Sequence, residues 1–175
     1  MARLLSITAW IAIEFEAYGE AERLLAEGLD VAREHQDVYG VAKIRANQGL
    51  VALFQKKWRE ASAAFEENIE LMTHPRFLGH FDWEAILGLA AVAGGQQHAE
   101  RAAWLSGAAR AWRDRVAEVV APVYERLEQR FLEPARSSLG DAAWQRAVEA
   151  GASAARAEVI ATALAPTTLA EMASS

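Results

Sequence analysis

Apolar positions recur at helical spacing along almost the whole chain. With the start and stop signals around them, they predict helices at about 2–17, 20–34, 38–55, 58–72, 81–94, 97–116, 122–138, 141–151 and 154–165, and no strand. Three eight-residue segments within these helices align without gaps: AERLLAEG from Ala21, ASAAFEEN from Ala61 and AAWLSGAA from Ala102. Their leading alanines lie 40 and 41 residues apart, so the sequence predicts a repeated unit.

Each repeat carries a small–large–small pattern on one helix face. The leading alanine is followed four residues later by Leu25, Phe65 or Ser106, and seven residues later by Gly28, Asn68 or Ala109. Positions i, i+4 and i+7 share a face, so the small residues let a neighbouring helix approach while the middle residue fills the gap. A helical stretch and a short turn precede each alanine, which predicts three helical hairpins with turns at 18–19, 56–58 and 94–95.

Proline and glycine mark the helices that follow the hairpins. Pro122 suits a first helical turn, whereas Gly140 followed by Asp141 indicates a helix stop and the N-cap of the next helix. Pro134 lies inside the segment 122–138 and is expected to kink that helix or to end it early. The last two helices carry apolar stripes, which predicts that they cover the end of the repeat stack.

The three hairpins resemble tetratricopeptide repeats. The early small position of that pattern falls on Ala9, Gly49 and Ala90, although a period of about 40 exceeds the usual 34 and alanines stand where the family usually has a large aromatic. The resemblance implies an all-α fold, a right-handed superhelical stack of three tetratricopeptide-like helical hairpins with a C-terminal helical cap. In this interpretation the hairpins occupy 1–116, the capping helices of the same domain 117–165, and a tail 166–175.

The region from about 37 to 165 is similar to the C-terminal part of bacterial LuxR-type and predicted-ATPase regulators. The similarity rests on the successive phrases LGLAAVAGGQQHAERAAWLSGAARAWRD, PVYERLEQRF and LGDAAWQRAVEAG. It implies a sensor or scaffold role in signal transduction. The chain has no GxxxxGK[ST] phosphate loop, and APTTLAEMASS after Leu164 leaves no room for a helix-turn-helix unit. Neither ATP hydrolysis nor DNA reading is therefore expected.

Composition narrows the classes of function further. The 39 alanines favour helix, and the net charge of −6 argues against direct nucleic-acid binding because the densest cationic cluster is only Lys56, Lys57 and Arg59. Without cysteine there is no thiolate nucleophile or metal ligand. No stretch reaches the roughly 18 uninterrupted apolar residues of a membrane helix, so a cytoplasmic location is expected.

The spacing of the candidate residues does not match known catalytic or metal-binding motifs. His74, His80 and Asp82 do not have the i, i+4 spacing of a helical zinc motif, and no GxSxG accompanies Ser106. The glutamate pairs resemble solvated helix faces: Glu14/Glu16, Glu66/Glu67 and Glu125/Glu128. We therefore predict no catalysis, no metal and no cofactor. The six tryptophans are expected to pack in the core, with Trp10 the exception that merits a test as a ligand contact.

The tetratricopeptide resemblance also implies where a partner binds. In such arrays the first helix of each hairpin lines the concave face, which selects Arg3, Trp10, Lys43, Leu50, Phe54, Glu84 and Leu87 as partner-binding residues. The alternative for the apolar members is packing between hairpins. A protein or peptide partner, or an upstream NTPase or DNA-binding domain, fits this amphipathic groove. A small-molecule inducer is the alternative ligand, and an apolar face exposed on the first hairpin makes a homodimer a further possibility.

Overall fold

The computed structural model describes residues 1–74, 77, 83–116 and 120–166, and within these ranges the protein is all-helical without a strand. The elements, in chain order, are α1 (Ala2–Glu14), α2 (Tyr18–Glu34), α3 (Val38–Phe54), α4 (Trp58–Met72), α5 (Trp83–Gly95), α6 (Ala99–Val116), α7 (Pro122–Leu127), a π-helical turn (Glu128–Leu132), α8 (Glu133–Leu139), α9 (Asp141–Ser153) and α10 (Arg156–Leu164). The predicted helical content is confirmed. No helix among the described residues is both long and apolar enough to cross a membrane.

Four three-residue turns with the same backbone geometry connect the helices of the stack. In each turn the N–H of the last residue donates to the carbonyl five residues earlier, at 2.8–2.9 Å, and the acceptors are Ala12, Ala32, Ala52 and Ala93. The middle residue adopts the left-handed conformation at Glu16, Gln36, Lys56 and Gln97, with φ between 54° and 69°. This arrangement is the Schellman motif, which satisfies carbonyls at a helix end and reverses the chain.

The predicted positions of the hairpin turns were therefore wrong by a few residues. Tyr18 and Gly19 lie in α2, Trp58 begins α4, and Gly94 and Gly95 belong to the last turn of α5. Glycine at positions 94 and 95 permits close packing instead, because a Cβ at Gly95 would lie 2.5 Å from the Trp58 ring and a Cβ at Gly94 would overlap the Phe131 carbonyl. The left-handed positions themselves carry long polar side chains.

The small–large–small triplets pack as the sequence predicts, since all nine positions are buried. The helices of each hairpin, α1 with α2, α3 with α4 and α5 with α6, pack along each other, and the first helices of successive hairpins are in contact. Phe65 shows how the pattern works. Its ring fills the space left by Gly49 of α3 and Gly88 of α5, so that a Cβ at either glycine would collide with it.

Close packing at glycines recurs in the helices after the third hairpin, and one of these helices contains an irregular turn. A Cβ at Gly107 of α6 would overlap the Val148 carbonyl of α9, and a Cβ at Gly151 would overlap the Trp104 carbonyl, so these two backbones cross in close contact. In the segment predicted as one helix over 122–138, the Glu133 N–H bonds to the Glu128 carbonyl five residues earlier. This π-helical turn directly precedes Pro134, where the sequence predicts a kink or an end.

Gly88→Ala should destabilise the protein by about 1–3 kcal/mol, because the new methyl group meets a ring that is held on both sides. Urea denaturation followed by circular dichroism measures the loss. Gly19→Ala is the matched control, since a Cβ there has no atom within 4 Å. Equal stability of the Gly88→Ala variant and the wild-type protein would contradict the packing of Phe65 described above.

Lys56→Gly should stabilise the protein by roughly 0.5 kcal/mol. A side chain in the left-handed region costs about 1–2 kcal/mol, and the entropy that glycine loses on folding offsets only part of that gain. Arg146→Gly, at an exposed position inside α9, should instead cost about 1 kcal/mol. Thermal or urea denaturation of both variants checks the opposite signs.

Candidate partner-binding site

Four of the residues predicted to bind a partner line a single cleft. Arg3 and Trp10 of α1, Lys43 of α3 and Glu84 of α5 surround a cavity of about 510 Å³ beside the N-terminal halves of α1 and α3. The first helices of the three hairpins therefore all contribute side chains to it. We call this cavity the α1–α3 cleft.

Polar contacts between helices fix the walls of the α1–α3 cleft. Lys43 Nζ donates to Glu84 Oε2 at 2.8 Å and links α3 to α5, whereas Asn47 Nδ2 donates to Ser6 Oγ at 3.3 Å and links α3 to α1. Arg3 is exposed and has no ion-pair partner among the described residues. Of the cations that line this cleft, Lys43 is paired with Glu84. The Arg3 guanidinium, which has no such partner in the described part of the chain, can therefore bind an acidic group of a ligand.

Trp10 presents a ring of fixed orientation to the cleft. It is only partly buried, and its other side packs against Tyr124 of α7, with 5.7 Å between ring centroids. Trp83 and Trp144 are buried, and Trp58, Trp104 and Trp112 are partly buried against the core. Core packing thus accounts for these five tryptophans, and Trp10 is the tryptophan that lines the α1–α3 cleft.

The other three predicted contacts lie in the core. Leu50, Phe54 and Leu87 are only 1%, 4% and 1% exposed. The interpretation of these residues as packing between hairpins is therefore the better one, and none of them lines the α1–α3 cleft. The cleft is also lined by Ser6, Tyr39 and Asn47. Tyr39 and Asn47 were not selected from the sequence.

The chain itself covers the remainder of this helix face. Tyr124 of α7 lies against both Trp10 and Trp83, at 5.7 and 4.9 Å between centroids. Phe131 of the π-helical turn packs on Phe54 at 5.9 Å. Arg126 Nη1 donates to Glu14 Oε2 at 3.1 Å, which ties α7 to the end of α1. Tyr124, Leu127 and Phe131 stand at i, i+3 and i+7, a helical spacing that could have indicated this buried stripe, although the sequence analysis did not single it out.

An exposed apolar stripe runs along α1. Its members are Leu4, Ile7, Ile11 and Phe15, which are 65%, 49%, 50% and 80% exposed. Their spacing of three or four residues places them on one face of the helix, and Ile7 also lines the α1–α3 cleft. The apolar face expected on the first hairpin is therefore present, and it is continuous with the cleft. We call these four residues the α1 stripe.

The candidate catalytic groups do not converge on a shared site among the described residues. Glu14, Glu67 and Glu128 pair with Arg126, Arg45 and Arg110 at 3.1, 2.8 and 3.0 Å. Ser106 is buried and donates to the Ala103 carbonyl in its own helix. No group of three His, Asp or Glu side chains suited to a metal occurs in the described ranges, and His80 and Asp82 lie outside them.

Glu66 has an unusual environment for a carboxyl group. Burial raises its pKa above the ordinary value of 4.5, and Glu70 adds to the rise, while Arg101 acts in the opposite direction. Arg101 itself donates to the carbonyls of Ala163 and Ala165, at 3.1 Å each, and so holds the end of α10. The raised pKa of Glu66 is a consequence of this packing between α4, α6 and α10.

Glu66→Gln should stabilise the protein at neutral pH. Because the pKa is higher in the folded than in the unfolded chain, the folded state binds the proton more tightly, and stability falls as pH rises from below 4.5 through the folded pKa. The glutamine variant lacks this loss, so its advantage should disappear at about pH 4. Denaturation midpoints between pH 4 and 8 check this, with Glu67→Gln, which loses its Arg45 ion pair, as the control.

Comparison with known proteins adds no relative to these observations. The chain matches no protein-family model, no curated protein and no solved structure. The resemblance of the three hairpins to tetratricopeptide repeats, and of residues 37–165 to bacterial regulators, therefore remains a prediction from the sequence. The α1–α3 cleft and the α1 stripe are known only from the geometry of this chain.

Proposed function

We propose that the protein is a non-catalytic helical-repeat interaction module that binds a protein or peptide through the α1 stripe and the α1–α3 cleft. One observation carries the proposal: an exposed apolar stripe is continuous, through Ile7, with a cleft that has fixed polar walls. Apolar patches bordered by polar residues commonly mark interaction sites. In this proposal the three hairpins form a right-handed superhelical stack of tetratricopeptide-like units.

The chemistry of the surface favours an amphipathic segment as the partner. Apolar side chains at i, i+3, i+7 and i+11 match the face that one helix offers to another, so a partner helix with a similar stripe can pack along α1. The exposed Arg3 at the mouth of the cleft favours an acidic residue on the partner. Apolar contact then supplies affinity, while the Arg3 charge selects the orientation.

The broader role that we propose is that of a sensor or scaffold region related to bacterial transcriptional regulators. The order of three hairpins with a period of about 40 residues and the phrases shared with that family support it. An NTPase or DNA-binding domain of such a regulator is then a natural partner, and the cytoplasm the natural location. Direct binding to nucleic acid is not part of the proposal, because the net charge is −6.

A small-molecule inducer is the second candidate ligand. The α1–α3 cleft, at about 510 Å³, lies within the roughly 300–1,000 Å³ usual for such sites, and it combines Trp10 with several polar groups. A ligand of this kind would raise the melting temperature of the wild-type protein. The same ligand would have no effect on the stability of a Trp10→Ala variant that keeps its helical circular dichroism.

Ile7→Asp should weaken peptide binding without loss of fold. Peptides selected from a display library against the wild-type protein are titrated in solution by fluorescence anisotropy. We expect at least a tenfold loss of affinity, about 1.4 kcal/mol, because Ile7 joins the stripe to the cleft. Ala26→Asp adds the same charge at an exposed position of α2 and should change the affinity less than twofold.

Three results, from this titration and from two further measurements, distinguish a peptide partner, a small-molecule inducer and a homodimer. Equal binding of the selected peptides to wild type and Ile7→Asp would contradict the proposed surface. Melting shifts with metabolites, in the absence of any enriched peptide, would favour the inducer. A concentration-dependent dimer in light scattering that Ile11→Asp converts to monomer would assign the α1 stripe to a second copy of this chain.

A further inference from the structure

A second cleft lies at the C-terminal end of α1 and shares no lining residue with the α1–α3 cleft. Its volume is about 260 Å³. The turn between α1 and α2, the end of α3, α7 and the π-helical turn form it, and its lining residues are Glu16, Tyr18, Phe54, Arg126, Gln129 and Arg130. We call it the arginine cleft, and nothing in the proposed function uses it.

Two hydrogen-bond donors of this cleft have no acceptor. Tyr18 Oη and Arg126 Nε are both buried, and neither has a hydrogen-bond partner among the described residues. Glu16 does not satisfy Arg126 Nε, because its Oε1 lies 4.0 Å away, which is beyond hydrogen-bonding distance. A buried donor left without an acceptor costs about 1–3 kcal/mol, so an acceptor that enters the cleft has a strong energetic reason to stay.

Both donors are held in place before any ligand arrives. The Tyr18 ring stacks on Phe54, with 5.9 Å between centroids and an interplanar angle of 12°. Arg126 uses its other nitrogens for Glu14 Oε2 and the Ile13 carbonyl, at 3.1 Å each. The two donors therefore cannot turn away to solvent without breaking these contacts. Such preorganisation reduces the entropy that a ligand loses on binding.

Arg130 adds a positive charge with no carboxylate partner in the described part of the chain. Its guanidinium carbon lies 5.8 Å from the Phe54 ring centroid and 5.6 Å from that of Phe131. Stacking of this kind leaves the N–H groups at the guanidinium edge free to donate. With Arg126 and Glu16, the charged side chains that line the cleft sum to +1 in a chain whose net charge is −6.

We propose that the arginine cleft binds a small oxyanion, the carboxylate or phosphate group of a ligand. Tyr18 Oη and Arg126 Nε donate hydrogen bonds to its oxygens, and Arg130 supplies the compensating charge. An oxyanion is the ligand chemistry that accepts from both donors at once and neutralises a cation. Glu16 is the internal competitor, because its carboxylate lies beside the same donors and repels an incoming anion.

The protonation state of Tyr18 agrees with this role. Burial raises the pKa of its hydroxyl above the ordinary value of 10, and the nearby Glu16 raises it further, whereas Arg126 and Arg130 act in the opposite direction. Tyr18 is therefore protonated throughout the neutral range and remains a donor.

The proposal is tested by titrating the intact chain with sodium phosphate and, separately, sodium acetate, against sodium chloride at the same ionic strength. Two-dimensional ¹H–¹⁵N NMR follows the arginine Nε–H signals and the Gly19 amide next to Tyr18. We expect saturable shifts of Arg126 and Arg130 with at least one oxyanion and none with chloride. Saturation with phosphate alone, or with acetate alone, identifies which oxyanion the cleft prefers.

Three variants make the result specific to the cleft. Tyr18→Phe keeps the ring on Phe54 and removes one donor, and Arg130→Gln removes the charge, so each should weaken binding at least fivefold. Glu16→Gln removes the competitor and should strengthen binding. Arg146→Gln, an exposed arginine of α9, should have no effect. Identical shifts in chloride, or affinities unchanged by both Tyr18→Phe and Arg130→Gln, would overturn the proposal.

Discussion

The packing of Tyr124 between Trp10 and Trp83 determines how the rest of this surface is arranged. It attaches α7 to the first helices of the first and third hairpins, which are separated by more than 70 residues in the chain. The ion pair of Arg126 with Glu14 holds the same helix at the end of α1. Because α7 and the π-helical turn occupy one half of the shared face, only the other half remains open as the α1–α3 cleft.

Through this arrangement α1 contributes to two different surfaces. Along its length the exposed α1 stripe, with the α1–α3 cleft beside it, offers apolar surface, and Arg3 is the available cation of that cleft. At its C-terminal end Glu14 orients Arg126, and that contact helps to build the arginine cleft. A partner on the α1 stripe would contact α1 directly, whereas a ligand in the arginine cleft would be linked to α1 only through the contact of Arg126 with Glu14.

Much of the fold could be predicted from the sequence because its causes are local. Alanine-rich helical periodicity predicts the helices, and the triplets around Leu25, Phe65 and Ser106 predict which faces are buried. The turns were misplaced for an equally physical reason. Glu16 and Lys56 adopt the left-handed conformation without the glycine that usually marks it, whereas Gly94 and Gly95 serve close packing. Residue type alone does not distinguish these two uses of glycine.

The sites were harder to predict than the helices. Arg3, Trp10, Lys43 and Glu84 were selected by the resemblance to tetratricopeptide repeats, in which the first helix of each hairpin lines the concave face. The burial of Phe54 depends on Phe131, nearly 80 residues later in the chain, and no local pattern records that contact. The arginine cleft is a stronger example. Tyr18 and Arg126 are more than a hundred residues apart, and only the docking of α7 brings them together.

The crossing of α6 and α9 at Gly107 and Gly151 has a mechanical consequence. At each glycine the backbone of one helix occupies the space that a side chain would take on the other. This close contact opposes sliding of the two helices along their axes. We therefore expect α6 and α9 to move together as one rigid unit, so that a displacement of α9 also displaces the third hairpin. The contact therefore fixes the orientation of α9, and of any segment attached to it, relative to the third hairpin.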